Sequence, residues 1–478
     1  MRCLRRQLPD RSHLALKSVM DRKKPIGRFS PGRFFCFLTA GIFFIFYFSA
    51  YFFRELWFDE ALTLINFAAL PAIADIYRSY FIPNNQIVHT VFLHCLLKAG
   101  IAPEAMRLLP LLCGAGVLIV LWKGFARESG RKALAITLAA LVLSPPFMLY
   151  ASALRGYMLA ALFTVGALTA ARKYALGGKK RNLLKWFVFC VLSVGVMPSA
   201  LAGLAAAGLY VLPYCGKKFW KNLRAYFLAL TAFAAFAVFY APIWKNLLNA
   251  FELKEGWLSP WCAVLAVFLA LGATFAVPLG VGAFYHRPKW RYFPRTLIWL
   301  LPLGSLLLPV APFPRVWFVL FPVFALLAAS FLRRVPDKLL KISAAAVIVW
   351  GCLSLTESCR TLISPAFSLA GQDDFYAPWF VCRSFMPSDT ARFVSRNFPG
   401  GRALFVSFAA DPWAMMCYYP GQILFDSPQG KVFYLPDNAL IAAAVDEDAA
   451  VLGERFGGKL QEVYANETHK VYLLRKGK

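Results

Sequence analysis

The sequence predicts an all-α polytopic membrane protein of about 11 transmembrane helices, closed at its C-terminus by a small α/β domain outside the membrane. Composition is the first ground: 59% of the 478 residues are hydrophobic, 16% are charged, and mean hydropathy is +0.57. A water-soluble domain cannot sensibly bury or expose that much apolar surface. The second is pattern. Apolar runs of spanning length recur from Phe34 to Thr356 between short polar loops, and helices satisfy their own backbone in lipid. The period-two alternation and aromatic girdles of a β-barrel are missing. The third is the placement of the +28 net charge.

The basic residues gather at Arg2–Arg33, Lys123–Lys132, Arg172–Lys185, Lys217–Arg224, His286–Arg295 and Arg333–Lys341. One or two spans separate successive clusters, so all six fall on one side, which the positive-inside rule makes the cytoplasm. The charge is a topology signal, and nucleic acid is not the expected partner. Residues 1–33 read as a basic cytoplasmic leader before an uncleaved signal anchor, since no small-x-small site closes the first run near Tyr51.

The expected spans are 34–53, 104–122, 133–149, 157–171, 186–197, 199–214, 225–242, 259–283, 296–310, 315–332 and 340–356, within a transmembrane domain of 34–356. The N-terminus is inside and the C-terminus outside. Gln86–Leu97 is apolar but too short to cross, and counting it as a span would turn every later basic cluster outward. It is placed as a surface helix in a long first outer loop, 54–103, with amphipathic stretches near Leu62–Leu70 and Ala72–Tyr80. The second outer loop, Tyr150–Tyr157, follows Ser144-Pro145-Pro146, and Met197-Pro198-Ser199 divides two short helices.

Past Thr356 the long apolar runs stop and aspartates multiply. Segments 357–478 read as an extracytoplasmic α/β domain, with strands near Ala403–Phe408, Gln422–Phe425, Ala450–Leu452 and Lys470–Leu474 and a helix at Ser388–Asn397. No nucleophile, base or ligand cluster stands out in it, so a lid or docking surface is expected. The eleven cysteines show no metal-site spacing. Cys359, Cys382 and Cys417 leave room for one disulfide outside the membrane, and the sequence does not choose the pair.

Chemistry concentrates at Trp57-Phe58-Asp59-Glu60, directly after the first apolar run. Carboxylates at a bilayer surface mark either a functional site or a paired structural one, and an acidic helix start favoured by the backbone dipole is the plainer alternative. Arg54, Arg78, Arg107, Arg155, Lys245, Lys254 and Arg315 are cations on the side that should be poor in them. An anionic ligand handled there gives them a reason. Arg155 alone has two readings, snorkelling to bulk lipid phosphate or holding one specific phosphate.

At Trp57-Phe58-Asp59-Glu60-Ala61 the chain resembles the polyprenyl-phosphate-sugar glycosyltransferases of the GT-C fold, the group of protein O-mannosyltransferases and aminoarabinose transferases. The likeness continues through Asn84-Asn85-Gln86, Leu93-His94, Glu104 to Pro110, Ser144-Pro145-Pro146, Arg155-Gly156-Tyr157 and Arg315 with Pro322. It implies transfer of a sugar from a polyprenyl-phosphate donor to a lipid, glycan or protein acceptor, by an inverting enzyme of a bacterial inner membrane. Asp59 would then be the general base and Glu60 would orient the acceptor or Asp59. Arg155 and Arg315, with Lys245 or His89, would hold the donor phosphate, while Asn85 and Tyr157 would line the substrate.

Two departures stand out. Ala153 replaces an acidic residue that relatives often carry two positions before the second-loop Arg, which puts a divalent metal held between the outer loops in doubt. Gln86 stands where relatives often have His, and His89 is one helical turn on. The rival readings are a flippase of lipid-linked intermediates and a non-catalytic envelope-assembly protein. Spans almost free of charge, with acids gathered in the first outer loop, favour the enzyme over the flippase.

Overall fold

A computed structural model describes residues 52–80, 82, 85–216, 222–252, 259–285, 293–307, 313–363, 387–398, 402–425, 435–445 and 447–476, with Ile45, Phe48 and Ser49. The expected leader, nearly all of the first span, Asn84, Lys254 and Cys382 lie outside them. The stretch expected as the first outer loop, 54–103, holds α1 (Phe58–Thr63), a π-helical turn (Leu64–Ala68), α2 (Ile73–Arg78) and α3 (Ile87–Lys98). Then come α4 (Leu108–Ser129), α5 (Arg131–Val142), α6 (Pro145–Ser152), α7 (Tyr157–Gly177), α8 (Lys180–Val196) and α9 (Ala200–Val211). After them run α10 (Leu223–Tyr240), α11 (Trp244–Glu252), α12 (Pro260–Ala283) and α13 (Phe293–Thr296), which passes into a 3-10 helix at Leu297–Leu307. A second 3-10 stretch, Pro314–Leu320, leads into α14 (Phe321–Leu332), and α15 (Asp337–Ile363) closes the helical part.

Five helical stretches among the described residues are long and apolar enough to cross a membrane: Ala105–Ser129, Leu223–Asn249, Pro260–Ala283, Pro314–Leu332 and Asp337–Thr356. The bent pair α5 and α6 makes a sixth if it is one span. The chain is a multi-pass membrane protein, but these helices account for fewer than the eleven crossings expected.

The differences have local causes. The expected straight span at 133–149 is bent by 67° between α5 and α6. Ser144 caps the new helix, its hydroxyl accepting from the Phe147 amide at 3.4 Å, and Pro145 and Pro146 lack the amides that would continue the ladder. Tyr150 to Ser152, expected in a loop, form the buried end of α6. The stretch expected as a span at 296–310 winds as a 3-10 helix around Pro302. The break at Met197-Pro198-Ser199 falls where the sequence places it, between α8 and α9.

Helix α3 is not a simple surface helix, because His89, Thr90, Leu93 and His94 are buried in the protein. His94 Nδ1 meets the Ala68 carbonyl at 2.9 Å, tying α3 to the end of the π turn.

The C-terminal domain adds α16 (Pro387–Asn397), β1 (Leu404–Val406), α17 (Pro412–Tyr418), β2 (Ile423–Phe425), β3 (Leu440–Ala444), α18 (Ala449–Phe456), β4 (Lys459–Ala465) and β5 (His469–Arg475). The sheet order is β2-β1-β3-β5-β4, parallel across β2, β1 and β3 and antiparallel from there. The strand expected at Ala450–Leu452 is instead part of α18. Asp448 caps its start by accepting from the Ala450 amide, and Gly457 ends it at φ 66°, while Leu452 and Phe456 bury one face four residues apart. Cys417 carries a free thiol.

This domain seats α17 on α1. Leu56, Ala61, Leu64, Ala68, Leu93, Met106 and Leu154 form one apolar cluster with Ala414, against which Trp413 and Tyr418 pack. Polar ties flank it: the Glu55 carboxylate accepts from the Ser388 amide at 2.8 Å and from its hydroxyl at 2.5 Å, and the Tyr418 hydroxyl accepts from the Leu56 amide at 3.0 Å.

Candidate active site

Asp59 and Glu60 are adjacent on α1 but live in different surroundings. Glu60 is fully buried. Its Oε1 accepts from Arg54 at 3.0 Å and from the Leu154 amide at 2.6 Å, and its Oε2 accepts from Arg107 at 2.7 Å, Arg54 at 3.1 Å and the Trp57 amide at 3.4 Å. Burial pushes this carboxyl up, but the positive charges of Arg107 and Arg54 outweigh it and hold the group down at about 2. Arg107 in turn donates to the carbonyls of Phe52, Arg54 and Glu55. The carboxylate is thus saturated by donors from three stretches of chain. It joins the end of the first span, α1 and the turn before Arg155.

That turn is drawn onto α1 a second time. Arg155 donates to the Thr63 hydroxyl at 2.6 Å and to the Asp59 carbonyl at 3.2 Å, and it is almost fully buried. Gly156 then lets it meet α3 and α8. A Cβ here would lie 2.5 Å from Val196 Cγ1 and 3.0 Å from both Gln86 Oε1 and His89 Cβ. The Gly156 amide donates to Gln86 Oε1. Gln86 therefore fastens the stretch before α3 to the turn before α7. Where Ala153 supplies no carboxylate, Glu60, Arg155 and Gln86 make the junction.

Asp59 points elsewhere. Its Oδ2 lies 3.2 Å from Arg315 Nη2 without the alignment of a hydrogen bond, so this is a charge contact. Arg315 also lies 4.4 Å over the Phe313 ring and in contact with the Tyr157 hydroxyl. Tyr157 packs on Tyr150 at 4.6 Å, and Arg155 sits 5.9 Å from the Tyr157 ring. One acid, two guanidiniums and a tyrosine hydroxyl therefore converge at one end of the helical part.

The remaining expected site residues divide. His89 is buried beside Gly156, and neither ring nitrogen has a hydrogen-bond partner among the described residues. Burial, and then the charge of Arg155, hold its imidazole neutral, down at about 3. Asn85 is spent on scaffolding: its amide donates to the carbonyls of Ile76 at 2.9 Å and Ser79 at 3.2 Å and accepts from Thr90. Lys245 is exposed on α11, with no ion pair or hydrogen bond to this cluster among the described residues. Among those residues, no group of three or more His, Cys, Asp or Glu stands together as a metal site.

One acid was not legible as a site residue. Asp411 caps α17, its Oδ1 accepting from the Ala414 amide at 3.0 Å, and its backbone lies in the left-handed region at φ 54°. It is buried, and its Oδ2 has no hydrogen-bond partner among the described residues. Burial pushes the carboxyl up to about 7, and the nearby negative charge of Asp59 adds to the rise. In the sequence Asp411-Pro412 reads only as a helix start.

Helices able to cross a membrane thus accompany a site of one acid and several cations beside a small α/β domain. The chain is similar in fold to ArnT from Cupriavidus metallidurans. The apo structure of that protein matches over 93% of this chain and 98% of its own, with TM-score 0.57 and 13% identity. Its structure bound to undecaprenyl phosphate matches over 92% and 98%, with TM-score 0.59 and 12% identity. The arabinofuranosyltransferase AftD from Mycobacteria aligns with 93% of this chain and 42% of its own, at 15% identity and TM-score 0.49. No family model and no curated protein matches the sequence.

Proposed function

We propose that this protein is a membrane glycosyltransferase that moves a sugar from a polyprenyl-phosphate carrier to an acceptor hydroxyl on the non-cytoplasmic side of a bacterial inner membrane. The observation that carries the reading is the contact of Asp59 with Arg315 in a largely enclosed centre beside Arg155. The likeness in fold to a protein solved with undecaprenyl phosphate supports the carrier.

In this reading Asp59 takes the acceptor proton as the acceptor oxygen bonds to the anomeric carbon. The bond from that carbon to the phosphate oxygen breaks, and its electron pair stays on the leaving phosphate. One displacement inverts the anomeric centre. Arg315 has a double part. Its guanidinium occupies the Oδ2 side of Asp59, and a bound donor phosphate competes for the guanidinium and leaves that oxygen open to the acceptor hydroxyl. Donor binding therefore arms the base and puts a fixed cation where charge grows. Arg155 and Tyr157 complete that anion site, and the neutral His89 lends a ring nitrogen to a substrate hydroxyl. Glu60 is a positioning residue, since every donor it accepts belongs to the protein. The acceptor is a lipid, glycan or protein of the cell envelope.

The test is sugar transfer by purified Asp59→Asn protein from a panel of polyprenyl-phosphate sugars to envelope fractions. Loss of a general base predicts a fall in kcat of about 10²–10⁴-fold with little change in donor KM. Transfer within about threefold of wild type, from a protein that still folds and inserts, removes Asp59 from the mechanism.

A further inference from the structure

Where the C-terminal domain meets α1 stands a group of side chains to which the proposed reaction gives no role. Phe408 is 47% exposed and lies 6.2 Å from Phe58 and 5.9 Å from Trp413 by ring centroids. Phe58 meets Trp413 edge to face at 4.9 Å, and Trp413 continues to Phe425 at 5.0 Å. Beside this wall stands the Asp411 carboxyl, buried, with one oxygen capping α17 and the other unpaired among the described residues.

An unpaired buried carboxyl oxygen needs a reason, because such groups in folded proteins nearly always find a partner. Capping does not supply it: the Ala414 amide donates to Oδ1 and the Trp413 amide also approaches the carboxyl, yet Oδ2 keeps no aligned donor among the described residues, and glycine would cap almost as well. The non-glycine backbone at φ 54° is a second cost carried at this one residue. A small polar ligand that brings its own hydroxyl satisfies the free oxygen. An aromatic wall beside it suits the C–H face of a sugar ring.

We infer that Asp411 and Phe408 of the C-terminal domain form a sugar-ring subsite of the same centre, with Oδ2 of Asp411 hydrogen-bonded to a ring hydroxyl. The inference rests on the glycosyltransferase reading, and it makes the domain a contributor to substrate recognition as well as a cover. A ring hydroxyl reaches this position from the donor sugar or from a carbohydrate acceptor. Buried and within electrostatic reach of Asp59, the Asp411 carboxyl serves this subsite as a neutral donor of its own proton.

Asp411→Gly removes the carboxyl while keeping a residue at ease with positive φ at the cap. Asp411→Asn keeps both the cap oxygen and a donor in place of the acid proton. The full-length protein in nanodiscs is titrated at pH 6 with undecaprenyl-phosphate sugars and with bare undecaprenyl phosphate, and KM is measured separately for glycan acceptors. If the subsite takes the donor, Asp411→Gly loses about tenfold in affinity for the sugar-bearing carrier, none for the bare carrier, and Asp411→Asn restores it. If it takes the acceptor, the same loss and rescue appear in acceptor KM alone.

Unchanged affinity and KM in Asp411→Gly overturn the subsite, as does a loss that Asp411→Asn does not restore. A wild-type protein that binds neither carrier overturns the glycosyltransferase reading itself, and the subsite with it.

Discussion

Neighbouring carboxyls in this protein are given opposite fates by what surrounds them. Glu60 is stabilised as an anion by Arg54 and Arg107, Asp59 faces Arg315, and Asp411 is left with burial and a negative neighbour. The last case predicts a pH signature. The Asp411 carboxyl sits at about 7 in the folded protein against an ordinary 3.8, so between those values the folded chain holds a proton the unfolded chain has released. Stability from this group is therefore complete below about pH 4 and falls as pH rises toward 7. Asp411→Asn cancels that slope. Its melting temperature relative to wild type is expected to climb by on the order of a few degrees from pH 5 to pH 8. A constant offset across that range, in a thermal melt, would show that Asp411 does not hold its proton.

The elements are organised around junctions that hold the turn before α7 against α1 and α3. Glu60 binds that turn through the Leu154 amide, and Arg155 binds it through Thr63 and the Asp59 carbonyl. Removing one partner of a buried ion pair leaves the rest uncompensated, at a cost of about 3–5 kcal/mol. Glu60→Gln is expected to lower detergent-solubilised stability by that order in chemical denaturation and to loosen the turn. Donor binding is expected to fall with it as Arg155 is released. Gly156→Ala works from the other side. Its methyl would press on Val196, Gln86 and His89, and overpacking of this kind costs about 1–3 kcal/mol.

On the scale of the whole molecule, the α/β domain rests on α1 and its neighbours through α17. The joint mixes an apolar cluster about Ala414 and Trp413 with the Glu55–Ser388 and Tyr418–Leu56 hydrogen bonds. Tyr418→Phe combined with Glu55→Ala removes the polar ties while leaving the apolar cluster. Hydrogen exchange should then quicken in α1 and α17 but not in α7 or α14. Equal exchange in all four would mean that packing alone fixes the domain. The same seating brings Asp411 within electrostatic reach of Asp59, two residues 352 positions apart in the chain.

Membrane class, the mostly helical fold and the small C-terminal sheet are written in local features, because hydropathy, loop charge and turn residues act over a few positions. Ser144-Pro145-Pro146 even carries the signal for the bend between α5 and α6. Other features depend on contacts between distant segments, and tertiary structure alone decided them. The glutamate beside Asp59 became a buried hub, and Asn85 went to scaffolding. Ala450–Leu452 wound into α18, and a capping aspartate in the end domain came within electrostatic reach of Asp59. A carboxyl group has no role of its own in the sequence; the charges and the dielectric that packing brings to it determine whether it is a strut, a base or a neutral donor.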